Sequence, residues 1–191
     1  MSSRFITELE RATGPAAQRE QFLQLARSST QAHRKSSGPL HFTASAIVID
    51  ASGEHIALHL HRKVGAWLQF GGHIDDGETS FEQAARREAA EESGLRDLQV
   101  VGDGPAMLHA HALNQNFAHC REHWDVQYLL RAPFTPASAE DGLAISERES
   151  AGLAWFGLDD LPAGLVQDLH ATLAALGLDR PQKSDGGSDC A

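Results

Sequence analysis

The chain has 191 residues, an apolar fraction of 41% and a formal net charge of -10, which is typical of one soluble globular domain with extra segments at its ends. The negative charge disfavours a nucleic-acid backbone or an anionic membrane as the main partner, but a bound cation can still bring in a phosphorylated small molecule. Two widely separated cysteines and the lack of an apolar run long enough to span a bilayer predict a cytoplasmic protein.

The N-terminal segment is predicted to be helical. Apolar residues recur at helical spacing over residues 4–27, and Gly14 and Pro15 indicate a break between two helices. Residues 28–39 have the polar composition of a linker. We interpret residues 1–38 as a helical appendage that packs on the main domain or mediates a homodimer, with a direct substrate role as the alternative.

After residue 41 the apolar pattern changes from helical to strand-like periodicity. The predicted strands cover residues 42–49, 55–61, 107–113, 124–130 and 153–156, and the predicted helices cover residues 79–93 and 165–176. Strands with two helices among them predict an α/β fold with a mixed sheet rather than a regularly alternating parallel one. The expected domain covers residues 39–178, followed by a flexible tail over residues 179–191.

The helix predicted over residues 79–93 has start and stop signals. Thr79 with Glu82, or Ser80 with Gln83, has the spacing of a capping box. Gly94 is a natural C-terminal cap.

Three carboxylates share one face of this helix. At about 100° per residue, Glu91 lies at roughly -60° and Glu92 at roughly +40° from Glu88. The apolar residues Phe81 and Ala84 project into the same arc, so the acids lie on the face that should meet the core. Like charges in such a place require compensation, and oxygen ligands favour magnesium or manganese over zinc. The alternative is a solvated glutamate cluster.

The stretch that contains this helix resembles the Nudix box, whose pattern is G-x5-E-x7-R-E-U-x-E-E-x-G-U with U an aliphatic residue. The matching residues are Gly72, Glu78, Arg87, Glu88, Ala89, Glu91, Glu92, Gly94 and Leu95. Eight residues rather than seven separate Glu78 from Arg87, which fits one inserted residue at the start of the helix. Residues 67–73, W-L-Q-F-G-G-H, are similar to a Nudix subgroup that reads W-L-x-P-G-G-H, with Phe70 in place of the proline.

The resemblance implies a Nudix-type α/β/α sandwich and a hydrolase that cleaves a diphosphate linkage in a nucleoside diphosphate derivative. It implies that magnesium or manganese is held by carboxylates of the box and by a backbone carbonyl, and that the metal activates the attacking water. The metal ligands so implied are Gly72, Glu88, Glu91 and Glu92. The catalytic residues so implied are Glu91, Glu92, Arg87, which would hold a carboxylate in position, and the loop residue Glu149.

Glu149 lies six residues before Trp155, where several Nudix enzymes place a loop glutamate that acts as base or extra ligand. A surface acid is the alternative. His73 and His123 are predicted to line the pocket and donate to phosphate when protonated, with structural or surface roles as the alternative. His59, His109 and His119 have no spacing that indicates a zinc site.

Two other functions are compatible with the same fold. One is isomerisation of isoprenoid diphosphates, and the other is a nucleotide-binding module without hydrolysis. The nearly complete box favours hydrolysis. The expected partner is a small-molecule nucleotide or another diphosphate, with no nucleic acid and no membrane.

Overall fold

The structure is a computed structural model that describes residues 2–29, 31–34, 36, 38–112, 120–144 and 150–183. The helices are α1 (Ser3–Arg11), α2 (Ala16–Ser28), α3 (Phe81–Ser93) and α4 (Leu169–Ala175). The strands are β1 (Leu40–Ile49), β2 (His55–His61), β3 (Ala66–Leu68), β4 (Phe70–His73), β5 (Gln99–Val100), β6 (Met107–Ala112), β7 (Glu122–Arg131) and β8 (Ser150–Gly157). Within the described residues, every helix is too short or too polar to cross a bilayer.

Strand β1 lies at the centre of the sheet. It pairs antiparallel with β2 and β4 and parallel with β7 over its whole length. Strands β5 and β6 pair with the far side of β7, whereas β3 and β8 pair with β2. The predicted α/β fold with a mixed sheet is therefore confirmed, and the parallel β1–β7 pair is what makes the sheet mixed.

Alternation along β1 divides the residues between two cores. Phe42 and Ala44 face a larger core that includes residues of α1, α2 and α3, whereas Ile47 and Ile49 face a smaller core that includes residues of α4. Because successive strand residues point to opposite faces, the sheet carries helices on both sides. On the face of the sheet that carries α4, the first half of β1 has polar residues instead of apolar ones, namely His41, Thr43 and Ser45.

The N-terminal helices contribute to the larger core. Phe5, Leu9 and Phe22 are buried there, and the ring of Phe5 meets that of Phe81 edge to face with centroids 4.7 Å apart. The predicted break between the two helices is confirmed, since α1 ends at Arg11 and α2 begins at Ala16. The domain boundary at residue 38 remains a prediction.

Some element bounds differ from the sequence expectation. Helix α4 begins at Leu169 rather than at residue 165, because Leu165 forms a bridge with Trp67 and the N–H of Val166 donates to the Trp67 carbonyl at 2.9 Å. Strands β3, β4 and β5 were not expected, and each has four residues or fewer. Within the predicted tail, the N–H of Lys183 donates to the carbonyl of Asp159 at 2.7 Å, and residues 184–191 lie outside the described part.

Candidate active site

Helix α3 starts with the second of the two candidate capping pairs. Ser80 is the N-cap, and its Oγ accepts a hydrogen bond of 3.1 Å from the N–H of Gln83. The Gln83 side chain reaches back to the N–H of Thr79 at 3.2 Å. A carboxylate from α1 completes the cap, since Glu8 Oε2 accepts from the N–H of Phe81 at 2.7 Å. These bonds satisfy backbone N–H groups that have no partner within the helix at its N-terminus. Helix α1 therefore helps to fix where α3 begins.

Helix α3 ends where a glycine was expected to cap it. Gly94 has φ +76°, the left-handed conformation, and a Cβ added there would lie 2.6 Å from the Cβ of Ala144. Both the backbone angle and the close neighbour exclude a larger residue. The last turn of the helix, which carries two of the predicted metal ligands, is therefore firmly bounded.

The three glutamates of α3 differ in exposure. Glu92 is 5% exposed, and its Oε2 accepts a hydrogen bond of 2.9 Å from the N–H of Gly71 on β4. The side chain of Glu88 is 14% exposed, whereas that of Glu91 is 61% exposed. Glu92 is thus anchored to the sheet, Glu88 lies at the edge of the core and Glu91 reaches solvent.

Arg87 connects this helix to the loop before it. Its Nε and Nη2 donate to the two carboxylate oxygens of Glu78 at 2.9 and 3.2 Å, and Nη2 also donates to the carbonyl of His73 at 2.8 Å. Its Nη1 lies 3.0 Å from Glu88 and 3.2 Å from Glu91. Burial alone would lower the pKa of Arg87, but the hydrogen bond to Glu78 and the charges of the two carboxylates at positions 78 and 88 raise it above its ordinary value.

The extra residue between Glu78 and Arg87 does not separate these two side chains. Glu78 still accepts two hydrogen bonds from the arginine. The insertion therefore leaves this part of the pattern intact.

Gly72 lies against the carboxylate of Glu88. A Cβ at position 72 would be 2.5 Å from Glu88 Oε1, so a larger residue would displace this carboxylate from its present position. A glycine lets the carboxylate lie directly against the β4 backbone. We call Gly72, Glu88, Glu91 and Glu92 the glutamate site. Its donors are all oxygens, which is the ligand chemistry that magnesium and manganese prefer.

The opposite face of the same strands carries a second group. His41, His73, Cys120 and His123, which we call the histidine–cysteine cluster, each offer one ligand atom, and these atoms all lie within 4.8 Å of one another. The structure thus brings together His73 and His123, with ring centroids 5.3 Å apart. Their predicted role in binding substrate remains a prediction. His41 and Cys120 were missed by the sequence analysis, although the alternation of His41, Thr43 and Ser45 with apolar residues along β1 was a usable signal.

A buried polar network lies next to this cluster on the same face. Asp125 accepts hydrogen bonds from Thr43 Oγ1 at 2.9 Å, Ser45 Oγ at 2.5 Å and Gln127 Nε2 at 3.0 Å. All four residues are at most 4% exposed. The mutual hydrogen bonds explain how so many polar groups are accommodated inside the fold.

Glu149 lies outside the described residues, so its predicted role as a loop base remains a prediction. The next residue, Ser150, is buried, and its Oγ is 2.8 Å from Nδ1 of His59. The same Nδ1 lies 3.8 Å from Glu92 Oε1. Burial lowers the pKa of His59 to about 4, so this ring is neutral at neutral pH.

Comparison with known proteins identifies the family and the fold. The family model described as the NUDIX domain matches residues 39–176. A hydrolase of the NUDIX family from Clostridium perfringens is 23% identical with a TM-score of 0.57, and the match covers 72% of this chain and 95% of that one. A MutT NUDIX hydrolase from Burkholderia pseudomallei is 26% identical with a TM-score of 0.50 over 72% and 95% of the two chains. An Ap4A hydrolase from C. elegans is 19% identical with a TM-score of 0.55 over 71% and 94%. No curated relative matches the chain.

Proposed function

Because this chain belongs to the Nudix hydrolase family, we propose that it hydrolyses a diphosphate linkage in a nucleoside diphosphate derivative with magnesium or manganese. The observation that carries the proposal is the glutamate site. In it Glu88 lies against Gly72, Glu92 accepts from the N–H of Gly71, and Glu91 lies on the same helix in contact with Arg87. The donor set fits the metal, because all of its ligands are oxygens and because the Glu88 carboxylate lies directly against the backbone of Gly72.

Gly72, Glu88, Glu91 and Glu92 would hold the cation. When bound, it would neutralise phosphate oxygens and activate a water molecule for attack on phosphorus. The exposed Glu91 is the carboxylate that can adjust its position most easily, whereas the anchored Glu92 keeps β4 and α3 together.

Arg87 acts as a positioning residue. It donates two parallel hydrogen bonds to the Glu78 carboxylate and a third to the His73 carbonyl. On one side it therefore holds the loop between β4 and α3. On the other side it contacts Glu88 and Glu91. A planar guanidinium can make this set of contacts, whereas an ammonium cannot.

Glu149 is proposed as the base that accepts the proton of the attacking water. Carboxylates committed to a divalent cation have little basicity left, so a base outside the ligand set is useful. Glu149→Gln should lower turnover strongly, affect substrate affinity much less and flatten the acidic limb of the pH–rate profile. Glu147→Gln is the internal control and should do little. If the two variants behave alike, or Glu147→Gln is the more damaging, one of the helix glutamates must supply the base.

The metal requirement can be tested directly. Protein treated with a chelator should lose turnover and regain it with magnesium or manganese, whereas calcium should support it poorly because its larger, flexible coordination sphere positions water less strictly. Full activity in excess chelator would contradict the mechanism.

A substrate panel would identify the leaving group. It should contain nucleoside triphosphates, nucleotide sugars and dinucleotides, and the last are supported by the name of the C. elegans structural neighbour, an Ap4A hydrolase. Release of a nucleoside monophosphate, phosphate or pyrophosphate would be measured by chromatography. Binding without cleavage across the panel would favour the nucleotide-binding module, and rearrangement of an isoprenoid diphosphate would favour the isomerase.

The remaining expectations are parts of the same proposal. The net charge of -10 supports a small-molecule partner over nucleic acid. We propose a cytoplasmic enzyme in which the N-terminal helices could also mediate a homodimer, which light scattering of the purified protein would test.

A further inference from the structure

The histidine–cysteine cluster is built from three strands and one loop position. His41 lies on β1, His73 is the last residue of β4, His123 lies on β7 and Cys120 comes just before β7. Their ligand atoms lie within 4.8 Å of one another, and Cys120 Sγ is 3.9 Å from His73 Nε2. Residues far apart in the sequence thus present nitrogen and sulfur atoms to one point.

The sheet register explains why they meet. In the parallel β1–β7 pair, His41 lies opposite His123, and in the antiparallel β1–β4 pair, His73 lies opposite Thr43. Thr43 points to the same face as His41, because strand residues two apart share a face. The three rings therefore converge, with centroids 5.1 Å apart for His41–His73 and for His41–His123.

One imidazole already has the second partner that metal-binding histidines use. His41 is fully buried, and its Nδ1 lies 3.1 Å from the carbonyl oxygen of Gly38, to which it can only donate. That bond fixes the ring and its tautomer, with the proton on Nδ1 and the lone pair that can coordinate a metal on Nε2. Histidine ligands in proteins commonly donate their other ring N–H to a carbonyl or a carboxylate in this way.

The glutamate site lies on the other face of β4. The Cβ position of Gly72 faces Glu88 on α3. The side chain of the next residue, His73, lies on the opposite face, because successive strand residues alternate. The two groups also differ in donor atoms, since one contains only oxygens and the other three nitrogens and a sulfur. They therefore suit different ions.

We propose that His41, His73, Cys120 and His123 bind a zinc ion as a closed four-ligand site. Zinc prefers imidazole and thiolate donors in a tetrahedron, and its ligand atoms then lie about 3.3–3.8 Å apart. The observed separations, which reach 4.8 Å at most, need only a small inward movement. The ion would tie β1, β4 and β7 together and would hold His73, whose carbonyl accepts from Arg87.

Untagged full-length protein would first be stripped with a chelator and then titrated with zinc and with cobalt. We expect one equivalent of zinc to bind and to raise the melting temperature. Cobalt should give the intense visible bands of tetrahedral coordination and a sulfur-to-cobalt charge-transfer band in the near ultraviolet. An octahedral cobalt spectrum without charge transfer, or no stoichiometric binding, would overturn the proposal.

Variants separate the cluster from other ligands. Cys120→Ser should abolish the charge-transfer band, and both Cys120→Ser and His123→Gln should weaken zinc binding by more than about tenfold, since loss of outer partners alone costs about 10–100-fold. His41→Gln serves as a third variant if either of these fails to fold, as judged by circular dichroism. His170→Gln on the exposed side of α4 and Glu92→Gln at the glutamate site should bind zinc like the unaltered protein.

The same variants decide between zinc and substrate as the ligand of these histidines. A ring nitrogen bound to zinc cannot donate to phosphate. If His123→Gln leaves zinc binding intact and raises the KM for a diphosphate substrate, the ring serves the substrate and the zinc assignment is wrong. The zinc measurement needs no substrate, so its outcome does not depend on the proposed hydrolysis.

Discussion

The glutamate site and the histidine–cysteine cluster lie on opposite faces of β4 and are built in different ways. Three of the four members of the first lie within about one turn of helix α3, and the fourth, Gly72, lies on β4. The members of the second come from β1, β4, β7 and a loop, so they meet only when the sheet has formed. The two groups therefore differ in donor chemistry, in the contacts that support them and in the mutations that should disrupt each of them.

The largest expected effect comes from removing residues 1–38, which supply core residues on the face of the glutamate site. The deletion takes away the buried side chains of Phe5, Leu9 and Phe22, and each large core residue costs about 3–5 kcal/mol when truncated. Stability should fall far more than the turnover per folded molecule, because α1 contacts the start of α3 whereas the acids lie toward its end. Denaturant unfolding and active-site titration would measure the two. A folded truncation without any turnover would place the segment in the active site.

Glu92→Gln should separate the two sites most clearly. Turnover should fall by about 100-fold or more, the scale of losing a preorganised electrostatic group, while zinc binding stays unchanged. Stability without metal should stay equal or rise, because the amide oxygen can still accept from Gly71 and one negative charge leaves a crowded face. Glu91→Gln should behave similarly. A large loss of metal-free stability with normal turnover would show that these acids are structural.

Arg87→Lys tests the link between the loop and the helix. Lysine keeps the charge but cannot form the parallel pair of hydrogen bonds with Glu78 while also reaching the His73 carbonyl, so we expect turnover to fall by about tenfold. Arg86→Lys is the matched control, since Arg86 pairs with Glu82 on the other side of the helix. Equal losses in the two variants would show a general effect of shortening an arginine on α3.

Glu8→Gln should have the smallest effect, and it should appear only in the pH dependence of stability. Burial raises the folded pKa of Glu8 above the ordinary value of 4.5, so its contribution is greatest below that value and is lost as the pH rises through the folded pKa. In the variant, the decrease in stability with rising pH that is due to Glu8 should disappear. Its amide oxygen can still accept a hydrogen bond from the N–H of Phe81. Unfolding of zinc-free protein on both sides of pH 4.5 would test this, with the exposed Glu10→Gln as control. Identical pH profiles in both variants would contradict it.

Much of the glutamate site follows from the sequence because its positions are close together and obey helical geometry. The caps at Ser80 and Gly94 were predicted and are confirmed, as is the α/β fold with a mixed sheet. What could not be predicted is the register of β1 against β7. Without that register, His41 and His123 are two separate strand residues, and Cys120 is a lone thiol.

The short strands were also not predicted from the sequence. Strand β4 has four residues, two of them glycines, so it offers too few side chains to show a strand period. Its place in the sheet comes from pairing with β1, which is a tertiary effect. The burial of Phe5 beside Phe81 is likewise a long-range contact that the helical pattern of the N-terminal segment does not specify.

The parallel pairing of β1 with β7 also has a consequence for how the chain folds. Antiparallel partners of β1 follow it closely in the chain, whereas β7 begins only at Glu122. The loop that must close before the parallel pair forms is long, and such non-local pairing slows folding. During synthesis one edge of β1 stays unpaired until β7 has emerged from the ribosome. An unpaired strand edge promotes aggregation. We therefore expect β1–β7 docking to limit the refolding rate.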